Sequence, residues 1–168
     1  MIALGFDPGF GLRNCTGWAL VDTGEQKVLA RGTVKATGDG DDKRVGSLVG
    51  QVMDVCQKAP RITNLASGQD VTVLCAYELP FRGPNQRTVA GLARVCGVIH
   101  TCAVQCGMVV VSVQPAEAKI ALTGYGAADK RQMVAAARMQ FGLEGQLTDA
   151  EADAIGIALA GAAKAMEF

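Results

Sequence analysis

The first 35 residues contain three strand-like segments in close succession, and this start limits the folds open to the chain. IALGFD (2–7) is a short apolar run that ends in an acid and precedes Pro-Gly, as expected for a central strand stopped by a turn. TGWALVD (16–22) and KVLARGTVK (27–35) follow, with the turn-rich DTGEQ between them. We therefore expect three sequential strands, the last two joined as an antiparallel hairpin.

Helical and strand patterns alternate through the rest of the chain. A polar loop (37–43) leads into a helix pattern that runs to Lys58, and RITNLASGQD (61–70) is interpreted as a surface loop. The remaining predicted elements are a strand over 71–78, a helix over 85–106, a strand over 108–113, and helices near 129–141 and 149–166. The order β-β-β-α-β-α-β-α-α predicts an α/β fold with a mixed five-stranded sheet, antiparallel in its first three strands and flanked by helices. We expect residues 1–168 to form a single domain.

Composition excludes several classes of protein. Hydrophobic residues make up 49% of the chain, enough for one sizeable core, and no run of about 18 apolar residues predicts a membrane span. The N-terminus lacks the basic and apolar regions of a secretory signal, so we expect a cytoplasmic protein. Six cysteines without a CxxC pair, and a single histidine, predict reduced thiols rather than a zinc site. The formal net charge is zero, yet basic residues exceed acidic ones between residues 80 and 140.

Two acidic side chains stand at the ends of predicted strands. Asp7 ends the first strand and Glu78 the fourth, and each is followed by a proline within two residues. Alone, each is explained as a turn cap. Together with an acid on the last helix they form a group of carboxylates from remote segments, which repel one another unless cations lie between them. Oxygen ligands favour Mg²⁺ or Mn²⁺, and two ions per site would suit phosphodiester hydrolysis.

Four motifs, taken in chain order, resemble the RuvC family of Holliday-junction resolvases within the RNase H-like nuclease superfamily. They are LGFDPG with TGWALVD, YELPF, PAEAKIALTGYGAADKRQMV (115–134) and EADAIGIALA, and they span nearly the whole chain. The resemblance implies an RNase H-like fold and an endonuclease that cleaves four-way junctions in DNA as a symmetric homodimer. Cleavage of other branched DNA, and binding of branched DNA without cleavage, are left open.

A competing interpretation is an actin-like nucleotide-binding domain, because DPGFGLRNCTGWALVD also looks like the first phosphate loop of such proteins. Those proteins enclose a nucleotide between two domains of this kind, and 168 residues hold only one. A Walker-type GxxxxGK[ST] segment is also absent from the sequence. The nuclease interpretation is therefore favoured.

The resemblance implies roles for individual residues. Asp7, Glu78 and Asp153 correspond to metal-binding carboxylates of the family. Lys119 and Lys130 match lysines that approach the scissile phosphates, where a compact ammonium offsets charge on the pentavalent centre. We therefore expect Lys130 to act with the carboxylates in catalysis and both lysines to contact DNA.

The segment after Glu78 is predicted to contact DNA. The resemblance implies that Phe81 stacks on a base near the branch point, whereas a loop aromatic folded back onto the core is the alternative. Arg82 and Arg87 would suit phosphate contacts, which contribute affinity but little sequence preference.

The stretch LTDAEADAIG (147–156) departs from the family pattern, because Ala150 stands where a second acid is usual, three residues before Asp153. Around an α-helix, Asp149 lies about 40° from Asp153, whereas Glu151 lies about 160° away. Thr148 and Glu151 match a capping box. We therefore predict Asp149 as the fourth metal ligand, with a favourable helix-dipole interaction as its alternative role.

The helix pattern over 85–106 is apolar on more than one side, and this surplus has two possible explanations. It could cover a partner helix in a homodimer, or it could be buried against the sheet of its own chain. The residues concerned are Leu92, Val95, Cys96, Ile99, Cys102 and Ala103 on one broad side, with Val89, Ala93 and Val98 beside them.

Overall fold

The computed structural model describes residues 1–10, 15–68, 71–80 and 85–167. Within these ranges the elements, in chain order, are β1 (Ile2–Asp7), β2 (Cys15–Asp22), β3 (Lys27–Lys35), α1 (Asp41–Ser67), β4 (Val73–Glu78), α2 (Gln86–Gln105), β5 (Val109–Val113), α3 (Pro115–Thr123), α4 (Lys130–Phe141) and α5 (Asp149–Ala165). The strands form one sheet in the order β3-β2-β1-β4-β5. β2 is antiparallel to both β1 and β3, whereas β4 runs parallel to β1 and β5 parallel to β4. The predicted mixed sheet is confirmed.

Helices cover both faces of this sheet, and the alternation of side chains along β1 and β4 assigns residues to one face or the other. On one face, Leu4, Phe6 and Cys75 of the sheet belong to a core shared with α1 and α2, which contribute Leu48, Val52 and Ile99. On the opposite face, Ala3, Val21 and Leu74 of the sheet belong to a core shared with α4 and α5, which contribute Met133 and Ile155. Because successive residues alternate, Asp7 and Glu78 both point to the face that α5 covers.

Two glycines of the sheet let α5 approach the backbone of β1 and β2. A Cβ atom added to Gly5 would overlap the carbonyl oxygen of Ala154 and would lie 2.6 Å from the backbone nitrogen of Ala158. A Cβ atom on Gly17, which is the register partner of Asp7, would overlap the carbonyl of Ala150. The first half of α5 therefore rests directly on the end of β1 that carries Asp7.

Substitution of Gly5 by alanine is expected to lower the free energy of unfolding by about 1–3 kcal/mol, because the new methyl group must push α5 away from β1. The Gly50→Ala variant is the matched control, since a Cβ atom on this residue of α1 would meet nothing within 4 Å. That change should be neutral or stabilising, because it reduces the conformational freedom of the unfolded chain. Urea unfolding of both variants measures the difference, and equal stability would refute the close packing of α5.

The loop predicted over 61–70 is wrong, because α1 continues through Pro60 to Ser67. Tertiary packing carries the helix past the proline. Ile62 packs against the core, and the buried hydroxyl of Thr63 donates a hydrogen bond to the carbonyl of Ala59 at 3.0 Å. The helix ends at Gly68, whose left-handed backbone (φ 70°) lets its N–H bond the carbonyl of Asn64.

The element order predicted from the sequence lacks α3, so the prediction of only two helices after β5 is wrong. α3 spans nine residues and begins with a proline, and the carboxylate of Glu117 accepts a hydrogen bond from the N–H of Gln114 at 2.7 Å. The helix buries only Ala118 and Leu122. A short helix with so narrow a buried side gives little periodic signal in the sequence.

The apolar side of α2 packs inside its own chain. Val95, Ile99 and Ala103 belong to the core between α2 and the sheet. This side of the helix is therefore apolar because it is buried against the sheet of its own chain. Within the described ranges α2 is the one helix long and apolar enough to cross a membrane, judged by length and composition, with 33% of its apolar window buried. The core contacts of Val95, Ile99 and Ala103 account for the buried part of this apolar helix.

The cysteines are free thiols, as expected from their spacing. Cys56, Cys75 and Cys102 lie in the core between α1, β4 and α2. Burial raises the pKa of the Cys56 thiol to about 12 and that of Cys75 well above its usual value. These thiols are therefore protonated, and they pack as small hydrophobic side chains.

Candidate active site

Three acidic side chains converge at one end of the sheet. Asp7 and Glu78 are the last residues of β1 and β4, and the parallel register that pairs Phe6 with Tyr77 places the two acids next in line. Asp153 reaches the same place from the second turn of α5. The carboxyl ends of adjacent parallel strands thus supply two acids, and the helix packed over them supplies the third.

The pKa values of these acids show that they share one electrostatic environment. Burial, followed by the charges of Asp153 and Glu78, raises the pKa of Asp7 to about 7. Burial and then the charge of Asp153 raise the pKa of Glu78 to about 7. Burial is also the main cause of the raised pKa of Asp153. Near neutral pH the group therefore carries negative charge that water screens poorly.

Two lysines reduce this charge. Lys130 lowers the pKa of both Asp7 and Asp153, and Lys119 lowers the pKa of both Glu78 and Asp153. Lys130 is the first residue of α4, which starts where Asp129 accepts a hydrogen bond from the N–H of Gln132 at 2.9 Å. Lys119 projects from α3. The structure therefore brings both lysines predicted from the sequence towards the acidic group.

The three acids at the start of α5 have separate surroundings. Asp149 is mostly exposed, and its Oδ2 lies 3.9 Å from Nζ of Lys130. Its charge raises the pKa of Asp153, which puts these two acids on the same side of the helix. Glu151 is buried with only 8% of its surface exposed. The angular argument from the sequence therefore separates Asp149 from Glu151 correctly.

Glu151 is part of a structural network. Its Oε2 accepts hydrogen bonds from the backbone N–H of Thr148 at 2.9 Å and from the hydroxyl of that residue at 2.8 Å, which completes the predicted capping box. Its Oε1 lies 2.8 Å from Nη1 of Arg31 in β3. Nη2 of the same arginine donates to the carbonyl of Gln146 at 2.9 Å. Arg31 therefore fixes the entry to α5, a role that its place in a strand pattern did not reveal.

A cleft of about 490 Å³ opens beside the acids. Its walls include Asp7, Asp149 and Lys130, together with Phe10 and Thr88, which the sequence did not single out. The full set of residues that line the cleft is Asp7, Pro8, Gly9, Phe10, Cys15, Thr88, Leu92, Lys130, Thr148, Asp149 and Ala150. The turn after Asp7 is held by Thr16, whose hydroxyl oxygen accepts a hydrogen bond from the N–H of Gly9 at 3.1 Å.

Not every residue predicted to contact DNA can be placed. Phe81 and Arg82 lie outside the described residues. Arg87 lies in the first turn of α2, where its Nε and Nη2 donate to the two carboxylate oxygens of Asp41, each at 3.1 Å. Its guanidinium is thus engaged by an acid, although 75% of the side chain is exposed.

The donor set suits a hard divalent cation, because the converging side chains offer carboxylate oxygens whose mutual repulsion such an ion would relieve. Within the described part of the chain, no three His, Cys, Asp or Glu side chains are already close enough together to hold a metal ion. An ion would therefore have to draw the acids inward. Burial is the main reason that the pKa values of Asp7, Glu78 and Asp153 are raised, and charge repulsion from a neighbouring acid adds to it, so a bound cation would stabilise their ionised forms.

Comparison with known proteins identifies the family. The family model described as crossover junction endodeoxyribonuclease RuvC matches residues 3–161. The chain belongs to the RuvC family. A RuvC from Anaeromyxobacter sp. (strain Fw109-5) is 32% identical over 159 residues, which cover 95% of this chain and 71% of that protein. The RuvC of Chlorobaculum parvum is 31% identical over 162 residues, which cover 94% of this chain and 79% of that protein.

Solved RuvC structures share the architecture. The structure of T. thermophilus RuvC in complex with Holliday junction substrate matches with a TM-score of 0.76 and 25% identity, covering 99% of this chain and 96% of that one. A second T. thermophilus RuvC structure matches with a TM-score of 0.72. The RNase H-like fold and the resemblance seen in the four motifs are confirmed. RuvC proteins are metal-dependent endodeoxyribonucleases, which agrees with an acidic site at the sheet end.

Proposed function

We propose that this RuvC-family chain is an endonuclease that cleaves four-way DNA junctions by hydrolysing phosphodiester bonds. The observation that carries the proposal is the convergence of Asp7, Glu78 and Asp153, three partly buried acids with raised pKa values, beside a cleft bordered by Lys130. Acids kept together at such electrostatic cost indicate a functional site rather than turn caps.

The proposed cofactor is Mg²⁺, for which Mn²⁺ can substitute, with two ions per site. Asp7, Glu78 and Asp153 would hold them, and Asp149 is proposed as the fourth ligand because it lies one turn before Asp153 and borders the cleft. When bound, such ions supply an activated water and offset charge on the leaving oxygen. Nitrogen and sulfur ligands are missing from this group, which favours a hard cation.

The lysines and the residues after β4 are proposed to hold the DNA. Lys130 and Lys119 would contact the scissile region, where a compact ammonium offsets the negative charge of the phosphate. Phe81 is proposed to stack on an unpaired base, and Arg82 and Arg87 to contact phosphates. Lys130 is well placed for this role, because 72% of its side chain is exposed at the edge of the cleft.

A homodimer is proposed as the active assembly, since a junction presents two strands for symmetric cleavage. The residues of α2 that face away from its own core are candidates for the contact. Ala93, Gly97 and Thr101 are exposed, and Val104 is 53% exposed. Small residues of this kind allow two helices to approach closely. The molar mass in solution, measured by light scattering, tests this part of the proposal.

Incubation of a synthetic four-way junction with the protein tests the nuclease proposal. We expect nicks near the branch point with Mg²⁺, and binding without nicks in EDTA, because the acids require cations to act. A linear duplex of the same length should be cut far more slowly. Comparable cutting of forks and flaps would favour the broader structure-selective nuclease, whereas an intact junction in Mg²⁺ would favour the relative that binds without cleavage.

A further inference from the structure

Two ion pairs join the start of α1 to the start of α2. The two carboxylate oxygens of Asp41 accept hydrogen bonds from Nε and Nη2 of Arg87, each at 3.1 Å, and Oδ1 also lies 3.5 Å from Nη1 of Arg44. Oδ1 of Asp42 lies 2.8 Å from Nη1 of Arg94, two turns further along α2. The acidic stretch that begins α1 therefore neutralises two arginines of the neighbouring helix.

These ion pairs lie next to the proposed DNA site. Thr88, the residue after Arg87, borders the cleft together with Asp7 and Lys130. Arg87 is therefore close enough to the cleft for DNA that enters it to pass nearby. Since the arginine side chain is 75% exposed while the carboxylate of Asp41 is only 25% exposed, an incoming phosphate would meet the guanidinium first.

We propose that Asp41 is a specificity-determining residue that withdraws Arg87 from contact with ordinary duplex DNA. The proposal rests on the proposed function, because it assumes that DNA reaches the cleft. An unpaired arginine at this position would bind a phosphate and release a condensed cation from the DNA. An arginine already paired with Asp41 can do so only by exchanging one anion for another, which yields little net free energy.

The geometry makes Asp41 an effective competitor. Its two oxygens match the Arg87 fork, and the hydrogen bonds from Arg87 are the main reason why the pKa of Asp41 is lowered, so the carboxylate stays charged. Weak binding to duplex DNA would benefit a nuclease specific for branch points, because unbranched duplex is present in large excess and competes for the protein.

Binding of a labelled linear duplex in EDTA, between about 50 and 200 mM salt, tests the proposal. The Asp41→Asn variant should bind the duplex about three- to tenfold more tightly at the lower salt concentration. The slope of log K against log salt should steepen by about 0.9, the value for one additional phosphate contact. The gain should disappear when Arg87 is also replaced: the double variant Asp41→Asn with Arg87→Gln should bind the duplex no more tightly than Arg87→Gln alone.

The matched control is Asp54→Asn, which removes the same charge from the same helix. Asp54 pairs with Lys58 at 2.6 Å on an exposed part of α1. Equal effects of Asp41→Asn and Asp54→Asn on affinity and slope would show that only net charge matters and would overturn the proposal, as would a gain that survives removal of Arg87. If the unaltered protein binds neither junction nor duplex, the proposed function itself fails. If the wild type cuts junctions while Asp41→Asn and Asp54→Asn change duplex affinity and slope equally, only the proposed role of Asp41 is refuted.

Discussion

The Asp153→Asn variant is expected to lose Mg²⁺-dependent cleavage of a four-way junction by on the order of 10³-fold, the largest activity effect that we predict for the acids of α5. Its carboxylate lies within the field of Asp7 and Glu78, so its loss removes charge where cations are proposed to bind. Asp149→Asn should cause a smaller loss, because this acid is half exposed and sits at the edge of the group. Initial rates of nicking on one labelled junction give both values.

The matched control for Asp153→Asn is Glu151→Gln, two residues away in the same helix. Glu151 faces Arg31 and Thr148 instead of the cleft, so the variant should cut at nearly the normal rate while folded. It should lose about 1–3 kcal/mol of unfolding free energy, because a buried charge pair is broken. A folded Glu151→Gln protein without activity would overturn the assignment of roles within LTDAEADAIG (147–156).

The Asp7→Asn variant is expected to stabilise the metal-free protein at about pH 8 by roughly 4 kcal/mol, although it should abolish cleavage. The pKa of Asp7 is raised from 3.8 to about 7 in the folded protein. Asp7 in the folded protein therefore keeps its proton over a pH range in which Asp7 of the unfolded chain has lost it. The contribution of protonated Asp7 to the free energy of unfolding is fully present below about pH 4 and is lost as the pH rises to about 7. Above that range the ionised carboxylate destabilises the fold.

Urea unfolding in EDTA across this pH range measures the effect. The unfolding free energy of the wild type should fall as the pH rises from about 4 to 7, and that of Asp7→Asn should fall less, with Glu78 and Asp153 responsible for the remaining slope. Asp54→Asn, which removes an exposed carboxylate, should follow the wild type. A less stable Asp7→Asn protein at about pH 8 would show that the carboxylate is not destabilising in the absence of metal.

The sheet was predictable because its strands are short apolar runs closed by turn residues. The same runs end in Asp7 and Glu78, and together with an acid on the last helix these strand ends indicated where acidic side chains would converge. The course of α1 beyond Pro60 was not predictable, since it depends on the packing of Ile62 against the core and on the burial of Thr63. α3 was missed because it buries only two side chains.

Residues whose role depends on a distant partner were the hardest to predict. The sequence marks Arg31 only as a basic position in a strand, and Arg87 as a candidate phosphate contact without an acidic partner. Their partners, Glu151 and Asp41, lie 120 and 46 residues away along the chain, and both pairs form only once the chain has folded. The sequence therefore indicates which residues carry charge, whereas the fold decides which charges are free to meet DNA.

Close contacts between backbones, rather than interlocked large side chains, set the spacing of the site. Gly5 faces Ala154 next to Asp153, and a Cβ atom on Gly156 would lie 2.8 Å from the carbonyl of Ala118, the neighbour of Lys119. α5 also lies close to β4, because a Cβ atom on Gly161 would overlap the side-chain Cβ of Ala76, which stands two residues before Glu78. A methyl group at Gly5, Gly156 or Gly161 would therefore act at a distance from the acids, because it would shift α5 and carry Asp153 away from Asp7 and Glu78.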